Sequence, residues 1–197
     1  MFKVMRIHVE VSARHIHLTR RDIDFLFGQG YALKKERELS QPPDFAAQEK
    51  AILKIGEKAI ALRVIGPERS YSQVEISMTD AITLGIEAPL RVSGNIDGAP
   101  EFSVEGPAGK AEIPLIIAQR HFHISPNQAE ELVIKDGEPY KIQIQGERAV
   151  IFDNVIARVG EYFQFACHLD TDEANAAGLD KTGGDGELIL PSWQSSF

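Results

Sequence analysis

The chain has 197 residues, 43% of them hydrophobic and 25% charged, which is enough apolar mass for a packed core in one compact unit or two small ones. Lys and Arg number 21 against 29 Asp and Glu, a formal charge of −8, and this excludes a nucleic-acid binder that works by phosphate neutralisation. The single cysteine, Cys167, excludes an internal disulfide framework, and no segment approaches the roughly 18–20 apolar residues of a membrane helix. The N-terminus Met1-Phe2-Lys3-Val4-Met5-Arg6 lacks the apolar block of a signal peptide. A soluble, acidic, cytoplasmic protein is expected, with neither nucleic acid nor membrane as partner.

Met5–Val11 alternates apolar and polar residues and predicts a half-buried strand. Thr19 then caps a helix running to about Phe27, with Gly28 as its stop. Glu36–Ala47 shows no periodicity and is expected to be loop. Strands follow at Ala51–Ile55, Ala59–Ile65 and Gln73–Ser77, and a helix starts at Thr79-Asp80-Ala81 and ends near Gly85. Pro89–Val92 and Glu112–Ile117 are further strands. Ser125 caps the next helix, with Pro126 at the first helical position and Gln128 at the reciprocal capping place. Tyr140–Gln145, Ala149–Val159 and Glu161–Cys167 are strand-like, then Thr171-Asp172-Glu173 opens a helix ending near Gly178, and Glu187–Leu190 is a last strand. Short strands with Gly- and Pro-rich punctuation point to barrels or a sandwich rather than alternating β-α units.

The most informative feature is an internal repeat. Ala13-Arg14-His15-Ile16-His17-Leu18-Thr19 matches Gln119-Arg120-His121-Phe122-His123-Ile124-Ser125, and each is followed by a capped helix. Asp80-Ala81 before Gly85 likewise matches Glu173-Ala174 before Gly178, an offset of 93 positions that carries Glu75 onto His168. On an extended backbone residues i and i+2 share a face, so His-x-His offers two imidazoles side by side as a chelate. One His-x-His alone is better explained by hydrogen-bonded strand histidines; two copies in matching contexts reverse that weighing. The candidate ligand sets are His15, His17 and Glu75, then His121, His123 and His168, leaving only His8, an expected solvent-facing strand residue. Imidazole and carboxylate suit zinc or another first-row divalent ion, and three protein ligands leave a position open for substrate. Cys167, beside His168 on a strand, should face the core.

Arg69, a short loop upstream of Glu75, is either an oxyanion clamp or a surface cation paired with an acid. Ser93-Gly94-Asn95 is a tight turn that either offers backbone N–H groups to a ligand or only links strands. The helix starts at Thr19 and Ser125 put positive dipole ends beside the His pairs.

In these motifs, from about Val9 to Ala177, the chain resembles the PduL-type phosphotransacylases, the phosphate propanoyltransferases of propanediol degradation and acetate metabolism. The resemblance is carried by Val11-Ser12-Ala13-Arg14-His15-Ile16-His17-Leu18, Leu39-Ser40-Gln41-Pro42, Phe45-Ala46-Ala47, Val64-Ile65-Gly66-Pro67 through Arg69, and Gln73-Val74-Glu75-Ile76-Ser77. Arg91-Val92-Ser93-Gly94, Arg120-His121-Phe122-His123 and His168 through Asn175 complete it. It implies a mainly β fold: two intertwined β-barrel halves in one compact unit, sharing strands from distant parts of the chain and capped by short helices. The motifs of the first half span about 9–95 and those of the second about 110–190. It also implies two zinc ions, with cobalt or nickel compatible, one on His15, His17 and Glu75 and one on His121, His123 and His168. Arg69 corresponds to the family's phosphate-binding arginine, and Ser12, Ser93 and Gly94 to positions lining the active site. The implied reaction moves a short acyl group, acetyl or propanoyl, between coenzyme A and inorganic phosphate, with acyl-CoA and phosphate as the partners. Microcompartment members carry an amphipathic N-terminal extension; only a strand-like segment precedes His15 here, so shell association is not expected. A homodimer is common at this size.

Three other readings use the same residues. A zinc-dependent thioester or ester hydrolase would activate water instead of phosphate. A cupin-type iron site wants a carboxylate about four residues after the second His, where Arg21 and Asn127 stand. A metal-stabilised binding module would hold its ions without an open position.

Overall fold

The alternating segments fold as strands that close into barrels, in a computed structural model that describes residues 3–190. In chain order the elements are β1 (Lys3–Ser12), β2 (His15–His17), α1 (Arg20–Phe27), β3 (Lys35–Glu38), β4 (Phe45–Ile55), β5 (Lys58–Gly66), β6 (Gln73–Ile76), α2 (Met78–Leu84) and β7 (Leu90–Arg91). They continue with β8 (Glu101–Glu105), β9 (Lys110–Ala118), β10 (His121–Ile124), α3 (Pro126–Glu131), β11 (Pro139–Ile144), β12 (Val150–Val159), β13 (Ala166–Asp170), α4 (Thr171–Ala176) and β14 (Gly184–Leu190). Among the described residues no helix is long and apolar enough to cross a membrane.

Two compact units divide the chain, one made of residues up to Ser12 together with those from Gln119 onward, the other of Ala13–Ala118. In the first, β1-β13-β10-β12-β11-β14 form a closed barrel filled by Ile7, Val9, Phe122, Ile142, Leu169 and Leu188. In the second, β4-β5-β2-β6-β9 close through β8, which pairs with both β9 and β4, around Ile16, Leu53, Leu62, Val74 and Leu115. The fold is thus mainly β, two barrels with a few short helices, as the family resemblance implies.

The pairings of the two barrels correspond strand for strand. β2 is parallel to β5 and antiparallel to β6; β10 is parallel to β12 and antiparallel to β13. β9 runs parallel to β6 in the one barrel, and β1 runs parallel to β13 in the other. Each repeat therefore starts with a strand that closes the barrel of the other repeat: β1 precedes β2 in sequence yet pairs beside β13. The ion pairs are duplicated as well. Arg14 reaches Asp80 at 3.2 Å and Arg120 reaches Glu173 at 2.7 Å, each joining the residue before the His pair to the first turn of the helix, α2 or α4, that follows the strand lying antiparallel to the pair.

The caps form largely where expected. Thr19 accepts from the Asp22 N–H and Gly28 ends α1, while Ser125 accepts from the Gln128 N–H with Pro126 at the first position. Ser125 Oγ also donates to Gln128 Oε1 at 2.9 Å. α4 opens at Thr171 as expected, and α2 starts one residue before Thr79, at Met78. Ser77 caps α2, and Asp170 caps α4 in a full capping box with Glu173, because these residues carry the side-chain acceptors at the strand-to-helix junction.

Other differences are informative. β3 and the start of β4 lie in the segment expected to be loop; β3 is exposed throughout and so carries no apolar alternation. The strand expected from Glu161 begins only at Ala166. Before it the chain turns, with Phe163 N–H donating to Gly160 O at 3.1 Å, and its aromatic residues do not extend the ladder.

Candidate metal centres and anion site

In the unit of Ala13–Ala118, Ile16 of β2 points into the core, so His15 and His17 share the opposite face. The antiparallel register puts His15 directly across from Glu75 and His17 across from Gln73. Donor atoms of His15, His17 and Glu75 all lie within 4.8 Å of one another, with Glu75 Oε1 3.6 Å from His15 Nε2 and 3.9 Å from His17 Nε2. His15 Nδ1 donates to Ala13 O at 2.8 Å, since a carbonyl can only accept, and Nε2 is left with its lone pair toward the cluster. Burial would raise the Glu75 carboxyl, but His15, then His17 and the Ser93 hydroxyl, hold it well below the usual carboxylate range. Burial alone would lower His15; the facing Glu75 outweighs it and the imidazole lies above its ordinary value. An ionised carboxylate flanked by two imidazoles is a cation site by charge as well as by shape.

Gln73 braces this carboxylate. It is fully buried, and its amide nitrogen bonds to Glu75 Oε1 and to Ser93 Oγ at 2.7 Å. Ser93 Oγ donates to Glu75 Oε1 at 2.8 Å, and the Gly94 N–H donates to Gln73 Oε1 at 2.9 Å. The expectation that the Ser93-Gly94 turn offers a free backbone N–H to a ligand is corrected here at Gly94: that N–H is committed to Gln73. The turn instead closes over Glu75, and Gly94 takes a left-handed conformation, φ 95°, where a Cβ would come within 3.1 Å of the Tyr71 hydroxyl.

Arg69 lies in the same unit. Its N–H donates to Leu18 O at 2.8 Å, fixing the loop next to β2, and Nη2 meets both carboxylate oxygens of Asp44 at 2.6 Å. The arginine is therefore paired with an acid, one 25 positions away, yet its Nε is buried without a hydrogen-bond partner. Asp44 is raised by burial and drawn back by Arg69 and by His15, whose charge it shares. Asp44 thus links the arginine to the metal-type triad.

In the other unit the same strand register recurs. Phe122 fills the core, so His121 and His123 share the outer face, and the register sets His121 across from His168, the place Glu75 holds opposite His15. The imidazole centroids lie 5.1 Å (His121–His168), 4.8 Å (His121–His123) and 4.8 Å (His123–His168) apart. His121 Nδ1 donates to Gln119 O at 2.9 Å, repeating the His15–Ala13 device. His123 is buried with neither ring nitrogen hydrogen-bonded, a costly state for a polar group. Burial, with His168, His121 and Arg158 nearby, depresses its pKa and keeps it neutral, the form that ligates a metal. Phe163 stacks against it with ring centroids 4.1 Å apart, and this is where the aromatic residues of the 161–165 turn are used. Three clustered imidazoles are donors of the type that suits a zinc-type ion, while among the described residues it is the His15, His17 and Glu75 set whose donor atoms are drawn together tightly enough to hold one.

Ser12 ends β1, paired with Asp170, in the unit of the second triad; Arg69, Ser93 and Gly94 belong to the unit of the first. Cys167 is fully buried in the barrel core, and burial pushes its thiol upward, which removes it as a nucleophile. His8 is exposed on β1 as expected. Gln73 and Asp44 were not singled out by sequence reasoning. Gln73 had one signal, its place two residues before Glu75 on the same strand face; Asp44, in a Pro-Pro-Asp-Phe loop, had none beyond lying between two family-like segments.

A family model for phosphate propanoyltransferase matches residues 8–180. A phosphate propanoyltransferase of Thermotoga maritima is 46% identical over 179 residues, covering 88% of this chain and 85% of that protein. One of Salmonella typhimurium is 44% identical over 190 residues, 94% of this chain and 90% of that protein. One of Clostridioides difficile is 41% identical over 178 residues, 89% of this chain and 85% of that protein.

Proposed function

The chain belongs to the phosphate propanoyltransferase family, a family of acyltransferases, and from that premise we propose that it transfers a short acyl group, acetyl or propanoyl, between coenzyme A and inorganic phosphate. Two divalent cations, zinc by donor set and with cobalt or nickel acceptable, would be held by His15, His17 and Glu75 and by His121, His123 and His168, and would supply Lewis-acid polarisation of substrate oxygen. Arg69 binds phosphate through its planar fork, and the Asp44 carboxylate, held by Nη2, keeps that fork in place. Ser12 and Ser93 face the substrate, by correspondence with the family motif, and Gly94 shapes the turn that carries Ser93.

The chemistry needs little more than positioning. Phosphate is already an anion, so its oxygen attacks the thioester carbon without a general base. The new C–O bond forms, the C–S bond breaks, and the sulfur leaves with the electron pair as the CoA thiolate. Holding the two reactants in register lowers the barrier by making the encounter effectively intramolecular. No side-chain nucleophile is required, in keeping with the inert Cys167.

The observation that carries this reading is the pair of triads in matching registers, His15 across from Glu75 and His121 across from His168. The test is CoA release from acetyl-CoA and propanoyl-CoA, with and without phosphate. Release is expected only with phosphate and matched by acyl phosphate. Release at the same rate without phosphate would make the protein a hydrolase, and failure to bind either thioester would make it a binding module.

A further inference from the structure

The two triads are not chemically equal: one contains the carboxylate of Glu75, whereas the other is made of three imidazoles. A second carboxylate stands behind the all-imidazole set. β1 runs parallel to β13 with Glu10 opposite His168, and Glu10 Oε2 lies 3.8 Å from His168 Nδ1. Val9 and, across from it, Cys167 are in the barrel core, as is Leu169, so Glu10 and His168 occupy the same outer face.

In the other barrel the register makes Ile116 the counterpart of Glu10, since Ile116 pairs with Glu75 as Glu10 pairs with His168. The carboxylate is therefore present in both units at neighbouring strand positions, on β6 as a ligand and on β1 as a group adjoining a ligand. His121 has its Nδ1 fixed by a backbone carbonyl; the group beside the Nδ1 of His168 is a carboxylate. An acceptor at Nδ1 holds the proton there, sets the ring plane, and presents the Nε2 lone pair to a metal, and a carboxylate in that role also makes the imidazole a stronger donor.

We infer that Glu10 is a positioning residue for His168: it fixes the tautomer and orientation of that imidazole and supplies the negative charge that the all-histidine triad lacks. The inference rests on the metal reading of that triad. It makes the two centres equal in charge, one carboxylate to each, by different routes.

The test uses the full chain carrying His15→Ala and His17→Ala, so that only the His121, His123 and His168 set is intact. Co2+ uptake is followed by its visible d–d absorption, and Zn2+ affinity by competition with a chelator. Glu10→Gln is expected to weaken metal binding about 10- to 100-fold and to change the d–d band. Glu10→Asp, which keeps the carboxylate on a shorter stem, should recover part of both. The melting temperature of the metal-free variants distinguishes this from loss of fold: it should stay with that of the parent, because Glu10 lies outside the core. Unchanged affinity and spectrum in Glu10→Gln, with His168→Ala abolishing binding, would overturn the role of Glu10 alone. A parent that takes up no Co2+ would overturn the metal reading itself, and the role of Glu10 with it.

Discussion

Replacing His123 with alanine is expected to lower phosphate-dependent CoA release by at least about 10³-fold while the chain stays folded. His123 is buried, neutral and without a hydrogen bond at either ring nitrogen, so the native fold bears the cost of a desolvated imidazole with no hydrogen bond in return. Its neighbours Phe122 and Ile124 supply the packing of β10, and both are fully buried and remain in place. Removing the side chain opens a space beneath Phe163 and, under the proposed metal reading, takes away one ligand. Metal content should fall from two ions per chain to one, and the melting temperature of the metal-free form should change little. Retention of both ions and of turnover in His123→Ala would assign the buried imidazole a purely structural role.

Arg69→Ala is expected to raise the KM for phosphate by about 10²-fold, with a smaller effect on the KM for acyl-CoA. A charge-assisted bidentate contact to an oxyanion contributes about 3 kcal/mol, which is that factor in binding. Arg69→Lys should recover only part of the loss, since an ammonium keeps the charge and not the fork. Arg69→Ala also strips Asp44 of its partner and so removes the cation that lowers its pKa. Steady-state kinetics with each substrate varied in turn decides the matter. An unchanged phosphate KM would leave Arg69 as a loop anchor, held by its contacts to Asp44 and Leu18.

What was legible in the sequence was local or repeated. Thr19, Gly28, Ser125 and Pro126 mark helix ends through short-range hydrogen bonding and fixed φ, and all four do so in the fold. The copied Arg-His-x-His segments and the 93-position offset led from Glu75 to His168, and the registers confirm the equivalence by setting each opposite the first His of its pair. That the halves are barrels came from the family resemblance.

What was not legible depended on partners far along the chain. β2 is three residues long, too short for a period to emerge, and β3 is polar on both faces. Nothing in the pattern of β1 or β9 tells which barrel each will close, because an alternating strand pairs equally well with any edge of matching register. Asp44, Gln73 and Glu10 escaped notice for the same reason. Each draws its meaning from a partner or a partnering strand: Arg69 across 25 positions, the Ser93-Gly94 turn across 20 and 21, and His168 on a strand from the far end of the chain.

Elemental analysis of the full chain, paired with CoA release before and after chelation, tests the central claim most directly. Two divalent ions per chain are expected, with activity lost on chelation and restored by Zn2+. Full phosphate-dependent turnover by a chain stripped of metal would contradict it.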